Sequence, residues 1–305
     1  MTVFVTLLLK LIPLYITILL GYIADKLLNI KRKETARLLL YIISPIIIFN
    51  GVATTQINVA SLSLPILFFC LACVMCLSFF EIGKHIWKDN SKNILAFTSG
   101  TGNTGYFGLP VAMVLFNKEQ IGLVVLSILG FVLYENSLGF FITAKGKHTT
   151  RESLQKIIKL PTIYAFFLGL IVNICHIPLG QIYQDSIINL RGAYTVLGMM
   201  MIGLGLAGIK KYKFDYKFIG LAFIAKFLVW PLLIFLIIEL DRLTFHIYSP
   251  DVEKVMILMS IVPLAANTVA HAIELKAQPE KASLAVMLST LFALVFIPLM
   301  TVFFF

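Results

Sequence analysis

Charge is scarce in this sequence. Asp, Glu, Lys and Arg together make up 13% of the 305 residues, about half the ~25% share of a soluble domain. Hydrophobic residues reach 59% and mean hydropathy is +0.95, so an ordinary water-soluble globule is excluded unless lipid is the solvent. The apolar runs lack the ten-residue alternation of barrel strands, which leaves helices as the means of crossing a bilayer. Cysteine is nearly absent, with four residues, and nothing suggests a disulfide framework. Cys70, Cys73 and Cys76 have an iron–sulfur spacing, but they lie inside an apolar run and Phe80 stands where a fourth ligand would fall. They read as small apolar residues on one helix face. No H-E-x-x-H zinc motif occurs, no segment is rich enough in Pro, Gly or Ser to be a linker, and no cofactor is expected.

What is present is a series of ten apolar runs, near 3–24, 37–54, 61–80, 94–116, 121–143, 158–175, 188–209, 217–238, 255–273 and 283–304. The first, from Val3 to Ile23, is too long for a signal h-region and has no convincing cleavage site, so it counts as a span. The predicted class is an all-α membrane protein of ten transmembrane helices. Counting a basic residue at the very end of a span with the adjoining connection, nineteen of the 25 fall after spans 1, 3, 5, 7 and 9, among them Lys31, Arg32, Lys33, Lys145, Lys147, Arg151, Lys210, Lys211 and Lys213. Four lie on the opposite side (Lys118, Arg191, Arg242 and Lys254), and Lys10 and Lys226 fall within spans. By the positive-inside rule the richer side is cytoplasmic and both termini face outward, as in a protein of a bacterial inner membrane. The net charge of +10 is then a topology signal and implies no nucleic-acid partner.

The chain reads as two halves, 1–143 and 158–305, joined by a polar cytoplasmic link, 144–157. Pro13 and Gly21 in span 1 match Pro161 and Gly169 in span 6, eight residues apart in both. Span 4 carries Asn103-Thr104 among glycines and before Pro110; span 9 carries Pro263 before Asn267-Thr268. Five spans is an odd number, so the second copy enters from the opposite face. The halves form an inverted repeat.

Residues 99 to 110 hold four glycines, two threonines, Asn103 and Pro110, a poor continuous helix. Freed backbone groups cost several kcal/mol each in hydrocarbon, so such a stretch must be buried or line a cavity. Gly100-x-Gly102-x-x-Gly105 also fits the dinucleotide fingerprint, but no βαβ unit surrounds it. Paired interruptions in corresponding spans point to a transporter's binding site, with Gly102, Pro110 and Pro263 as the breaks. The new helix starts offer positive dipole ends and free N–H groups. Substrate contacts are expected from Asn103, Thr104, Gly105, Asn267 and Thr268. The plainer alternative is close helix packing through Gly and Asn.

Three ionisable residues lie at membrane depth, where a charge costs at least ~2.5–3.5 kcal/mol and belongs inside the protein. Glu135 is the candidate proton-coupling carboxylate, since removal from water favours its neutral form; a structural pair with Lys226 is the alternative. Lys226 and Lys10 more commonly snorkel. His271 serves equally as a packing residue or a proton carrier.

Asn103-Thr104 followed by Gly108-Leu109-Pro110 resembles the signature of the auxin efflux carrier family of plant carriers and bacterial permeases. Pro263-x-x-x-Asn267, Ser289-Thr290, Pro298 and Pro45 agree, and the resemblance covers the whole chain. It implies a scaffold domain and a transport domain, each built from both repeats, in a fold similar to the bile acid sodium symporters. Spans 4 and 9 would cross at their breaks, with Asn103 and Asn267 near the substrate. The substrates it implies are organic anions such as malate, malonate or auxin. The short link at Lys145 to Lys156 departs from the long-loop plant carriers and favours the prokaryotic branch.

The expectation is therefore a secondary active transporter working by alternating access, with a small organic anion and the lipid bilayer as partners and a proton or sodium ion for coupling. A homodimer is compatible with the composition, because lipid-facing and partner-facing surfaces look alike. The alternative is a cation (Na⁺/H⁺) antiporter or a cation-coupled symporter of another small solute. It calls for paired acids at the crossing, and neither broken stretch contains one. An intramembrane enzyme lacks a catalytic pair, and a sensor lacks room for an output domain.

Overall fold

The computed structural model describes residues 3–54, 59–209 and 214–304. Lys210, Lys211 and Lys213 lie outside the described residues, as do the side chains of Lys10 and Lys118. Every regular element among the described residues is helical. Helix α1 is Val3–Leu28; α2 (Arg32–Leu38) and α3 (Ser44–Thr54) are joined by a π-helical turn, Leu39–Ile43; α4 is Val59–Ile86. Helices α5 (Ser91–Ser99) and α6 (Leu109–Leu115) flank a break and a π turn, Thr104–Gly108. Helix α7 (Lys118–Tyr134) passes through a π turn, Glu135–Gly139, into α8 (Phe140–Lys145). Then come α9 (Thr150–Ile158), α10 (Pro161–Ile174) and α11 (Gln181–Ala207). Helix α12 (Tyr216–Phe223) continues through the π turn Ile224–Val229 into α13 (Trp230–Thr244), and α14 (Pro250–Ile261), α15 (Asn267–Glu274) and α16 (Pro279–Phe304) complete the chain.

Seven of these continuous helices are long and apolar enough to cross a membrane, and an eighth crossing is formed if α9 and α10, bent by 50°, count as one. The expected fourth and ninth spans are each broken in two, so neither piece meets the length of a span. The expected polar link also differs: α9 occupies most of it, and α10 is only 14 residues long.

The helix ends follow local chemistry. Asn117 and Gln120 form a reciprocal capping box at the start of α7. Asp215 accepts the Phe218 amide at 3.1 Å to open α12. Asn29, His176, His246 and Lys276 take left-handed φ of 52–54° just after helices, and the next residue's amide, or the residue's own, reaches back to close the last turn.

Two close pairings span the halves: α1 lies along α11, and α3 along α10. Glycine sets both distances. A Cβ on Gly203 or Gly21 would collide with backbone of the facing helix, and one on Gly169 would stand 2.9 Å from the Phe49 carbonyl. Between the halves runs a core centred on Phe68, Phe131 and Trp230, whose rings lie 5.0–6.3 Å apart.

Candidate functional site

Helix α5 ends where glycine begins. Gly100 caps it, and residues 101–103 leave helical geometry before the π turn starts at Thr104. Helix α14 ends at Ile261, and 262–266 run irregularly to the start of α15 at Asn267. The two breaks touch, with the Asn103 amide donating to the Pro263 carbonyl at 2.7 Å. Other freed groups find side chains from neighbouring elements. Trp230 Nε1 donates to Ser99 O at 2.7 Å, and the Leu264 amide donates to Ser289 Oγ at 3.1 Å. Irregular backbone at this depth is thereby supplied with partners, the condition that hydrocarbon imposes. Pro110 sits away from the break, in the first turn of α6, where its missing N–H costs little.

Beside the contact lies a cavity of about 120 Å³. Gly102, Asn103, Thr104 and Gly105 line it from one break, and Ala265, Ala266 and Asn267 from the other. Glu135, Tyr106, Tyr194 and Arg191 complete its polar lining. A cavity of 150 Å³ accommodates benzene, so this one suits a molecule of a few heavy atoms. The segments starting at Thr104 and Asn267 both begin at its wall, so positive helix ends face it from two sides.

Glu135 is 3% exposed. Its carboxylate accepts from Thr101 Oγ1 at 2.5 Å and from Asn267 Nδ2 at 2.8 Å. Asn267 Oδ1 in turn accepts from the Tyr106 hydroxyl at 2.8 Å. The Tyr106 ring packs on Gly198, where a Cβ would strike it, and lies 4.7 Å from the Tyr194 ring. A polar chain thus runs from the first break through Glu135 to the second break and on to α11. Asn103 is 2% exposed; its Nδ2 meets only Met199 Sδ at 3.7 Å, and its Oδ1 has no partner.

Lys226 is fully buried, but it does not line the cavity. Its Nζ lies over the Trp230 and Phe131 rings at 5.0 and 5.7 Å and reaches Met259 O at 3.5 Å. It also abuts Gly102, where a side chain would run into the ammonium. The expected alternative of a Glu135–Lys226 pair is not found: among the described residues they form no ion pair. Snorkelling is not found either, because the ammonium points into protein. His271 packs between Phe97 and Phe140, at 5.1 and 5.6 Å, with Nδ1 unpartnered. Thr268 is buried with Oγ1 unpartnered. Neither of these two lines the cavity.

Sequence reasoning missed Thr101, Tyr106, Tyr194 and Arg191. Arg191 served there only as a charge on the sparsely basic side. That sparseness was itself a signal, since an arginine kept there invites a search for its purpose.

A family model described as membrane transport protein matches residues 6–301. An uncharacterized transporter of Methanocaldococcus jannaschii is 30% identical over 268 residues, 83% of this chain and 84% of the relative. A probable auxin efflux carrier component of Oryza sativa subsp. japonica is 26% identical over 158 residues, 48% of this chain and 35% of the carrier. An uncharacterized transporter of Methanothermobacter thermautotrophicus is 25% identical over 203 residues, 63% and 65% of the two chains. The chain is thus an integral membrane transporter. It belongs to the auxin efflux carrier family of membrane transport proteins.

Proposed function

We propose that the protein is a secondary active transporter of small organic anions, carboxylates such as malate, malonate or auxin-like acids, working by alternating access. The observation that carries this reading is one cavity walled by two touching helix breaks and holding a single acid, Glu135. Positive helix ends favour an anion. One relative is named for auxin, a small organic acid.

Coupling follows from electrostatics. An ionised Glu135 and a bound anion in one water-poor cavity repel each other, so protonation of Glu135 strengthens anion binding. By linkage, anion binding strengthens protonation to the same degree. Proton and anion then travel together. Thr101 joins this group to the first break and Asn267 joins it to the second, a route by which its charge state can reach both half-helices.

The proposed architecture is ten spans in two inverted repeats, 1–143 and 158–305, with the broken segments 91–115 and 250–274 as spans four and nine. The swapped pairing supports it. Gly21 packs its helix on α11 and the matching Gly169 packs its helix on α3, as exchange of two equivalent halves requires. Both termini are proposed to face outward, in a plasma membrane. On that orientation the cavity's Arg191 end faces out, while an ion pair between Arg37 and Glu274 at 3.1 Å ties α2 to α15 on the inner side.

A second reading has one observation in its favour. Neither 99–110 nor 261–270 carries an acid, yet the fold brings Glu135 against both breaks, so cation exchange at this carboxylate is the rival. Liposome uptake separates the two. Labelled carboxylates, indole-3-acetate included, would be offered under imposed pH, sodium and voltage gradients. Saturable uptake lost in Asn103→Ala and Asn267→Ala is expected. Proton-driven sodium flux with no anion uptake would move cation exchange to the front.

A further inference from the structure

Among the described residues, Arg191 is the only lysine or arginine lining the cavity and forms no ion pair. It stands seven residues before Gly198, the seat of Tyr106. At 1.5 Å per residue its backbone is about 10 Å along α11 from Gly198, at the exposed end of the cavity, and its long side chain can cover part of that distance towards the helix breaks. At the inner end Asn103 is buried and its Oδ1 has no partner among the described residues; a flip of the amide presents the Nδ2 donor there instead. A ligand that bridges these ends meets hydrogen-bonding groups at one and a fixed positive charge at the other.

We infer that Arg191 selects substrate by charge, receiving the second carboxylate of a small dianion whose first carboxyl group lies at the helix breaks. This rests on the anion-transport reading above. A guanidinium is charged at every physiological pH and presents a planar fork that fits a carboxylate with two parallel bonds. Glu135 at the inner end disfavours a second negative charge there. The distal carboxylate is therefore the group that most needs a cation, and Arg191 supplies it. A monoanion of equal size leaves the guanidinium without its partner.

The test compares malonate with malonamate, in which one carboxylate becomes an amide of the same size, using the full-length protein in liposomes. The wild type is expected to favour malonate in kcat/KM by about tenfold or more, the range of a charge-assisted bond. Arg191→Gln is expected to bring that ratio close to one, chiefly by raising KM for malonate. Arg191→Lys keeps the charge without the fork, is expected to reduce the ratio several-fold, and decides the matter if the glutamine variant does not fold. An unchanged ratio in the variants, or a wild-type ratio near one, overturns the assignment of Arg191 and leaves anion transport standing. Absence of uptake of either compound, or of any other carboxylate, by folded wild type overturns both.

Discussion

Replacing Glu135 by Gln separates binding from coupling. The carboxylate accepts two hydrogen bonds, from Thr101 and Asn267. A glutamine keeps the shape: its oxygen can face Asn267 Nδ2, and its amide can donate to Thr101, whose hydroxyl rotates to accept. Two charge-assisted bonds become neutral ones, a loss of about 1–2 kcal/mol. Bonds within membrane proteins average nearer 0.6 kcal/mol, which lowers the expected loss. The variant should therefore fold and should bind substrate, because a neutral side chain no longer opposes an anion. It cannot exchange a proton. With the voltage clamped, one coupled proton under a gradient of one pH unit is worth about 1.4 kcal/mol, a tenfold accumulation of substrate. Wild-type liposomes should reach that tenfold level in a labelled-malonate assay, while Glu135→Gln liposomes equilibrate at onefold. Tenfold accumulation by the variant would refute the assignment of coupling to Glu135. Failure of the wild type to respond to the pH gradient would refute proton coupling itself.

Three further outcomes follow from neighbouring geometry. Gly198→Ala places a methyl against the Tyr106 ring, displacing the hydroxyl that holds Asn267; uptake should fall at least about tenfold, the equivalent of ~1.4 kcal/mol, in protein that still elutes as a single peak. Lys226→Met removes a buried ammonium that has one long bond and no carboxylate, so the thermal midpoint in detergent should hold or rise by the equivalent of ~1–2 kcal/mol; a marked fall would mean that the cation stabilises the carbonyl ends at the crossing. Outside the spans, burial opposes ionisation of Asp215, but its bond with Lys281, the Phe218 amide and the Trp87 indole prevail and hold its carboxyl below the usual carboxylate range. A depressed folded pKa adds stability above the unfolded value of ~3.9 and loses it as pH falls through the folded one. The midpoint difference between wild type and Asp215→Asn should therefore be full at pH 6 and shrink below about pH 4, as thermal melts across that range would register.

The breaks were legible in the sequence because their causes are local. Four glycines and an asparagine within a few residues cannot sustain a helix, and Pro263 cannot donate to one. What holds the broken ends is not local. Trp230 reaches Ser99 across 131 positions and Ser289 reaches Leu264 across 25, and no window of residues encodes such pairings. The same limit explains Glu135. A carboxylate was sought inside the broken stretches and was missing there, whereas the fold delivers one from between α7 and α8, 132 positions from its partner Asn267. Arg191 is not legible as a cavity residue for a different reason: a charge on the sparsely basic side is accounted for by topology alone, and only the fold shows that it lines the cavity. Gly21 and Gly169 are the opposite case. Their equal spacing from Pro13 and Pro161 was only a pattern until each was found against a helix of the other half. Close approach requires glycine at both positions for the same steric reason, so the shared Pro–Gly spacing has a physical cause. Substituting Ala at either position should loosen the corresponding pair, α1 with α11 or α3 with α10, while leaving the polar chain from Thr101 to Tyr106 intact.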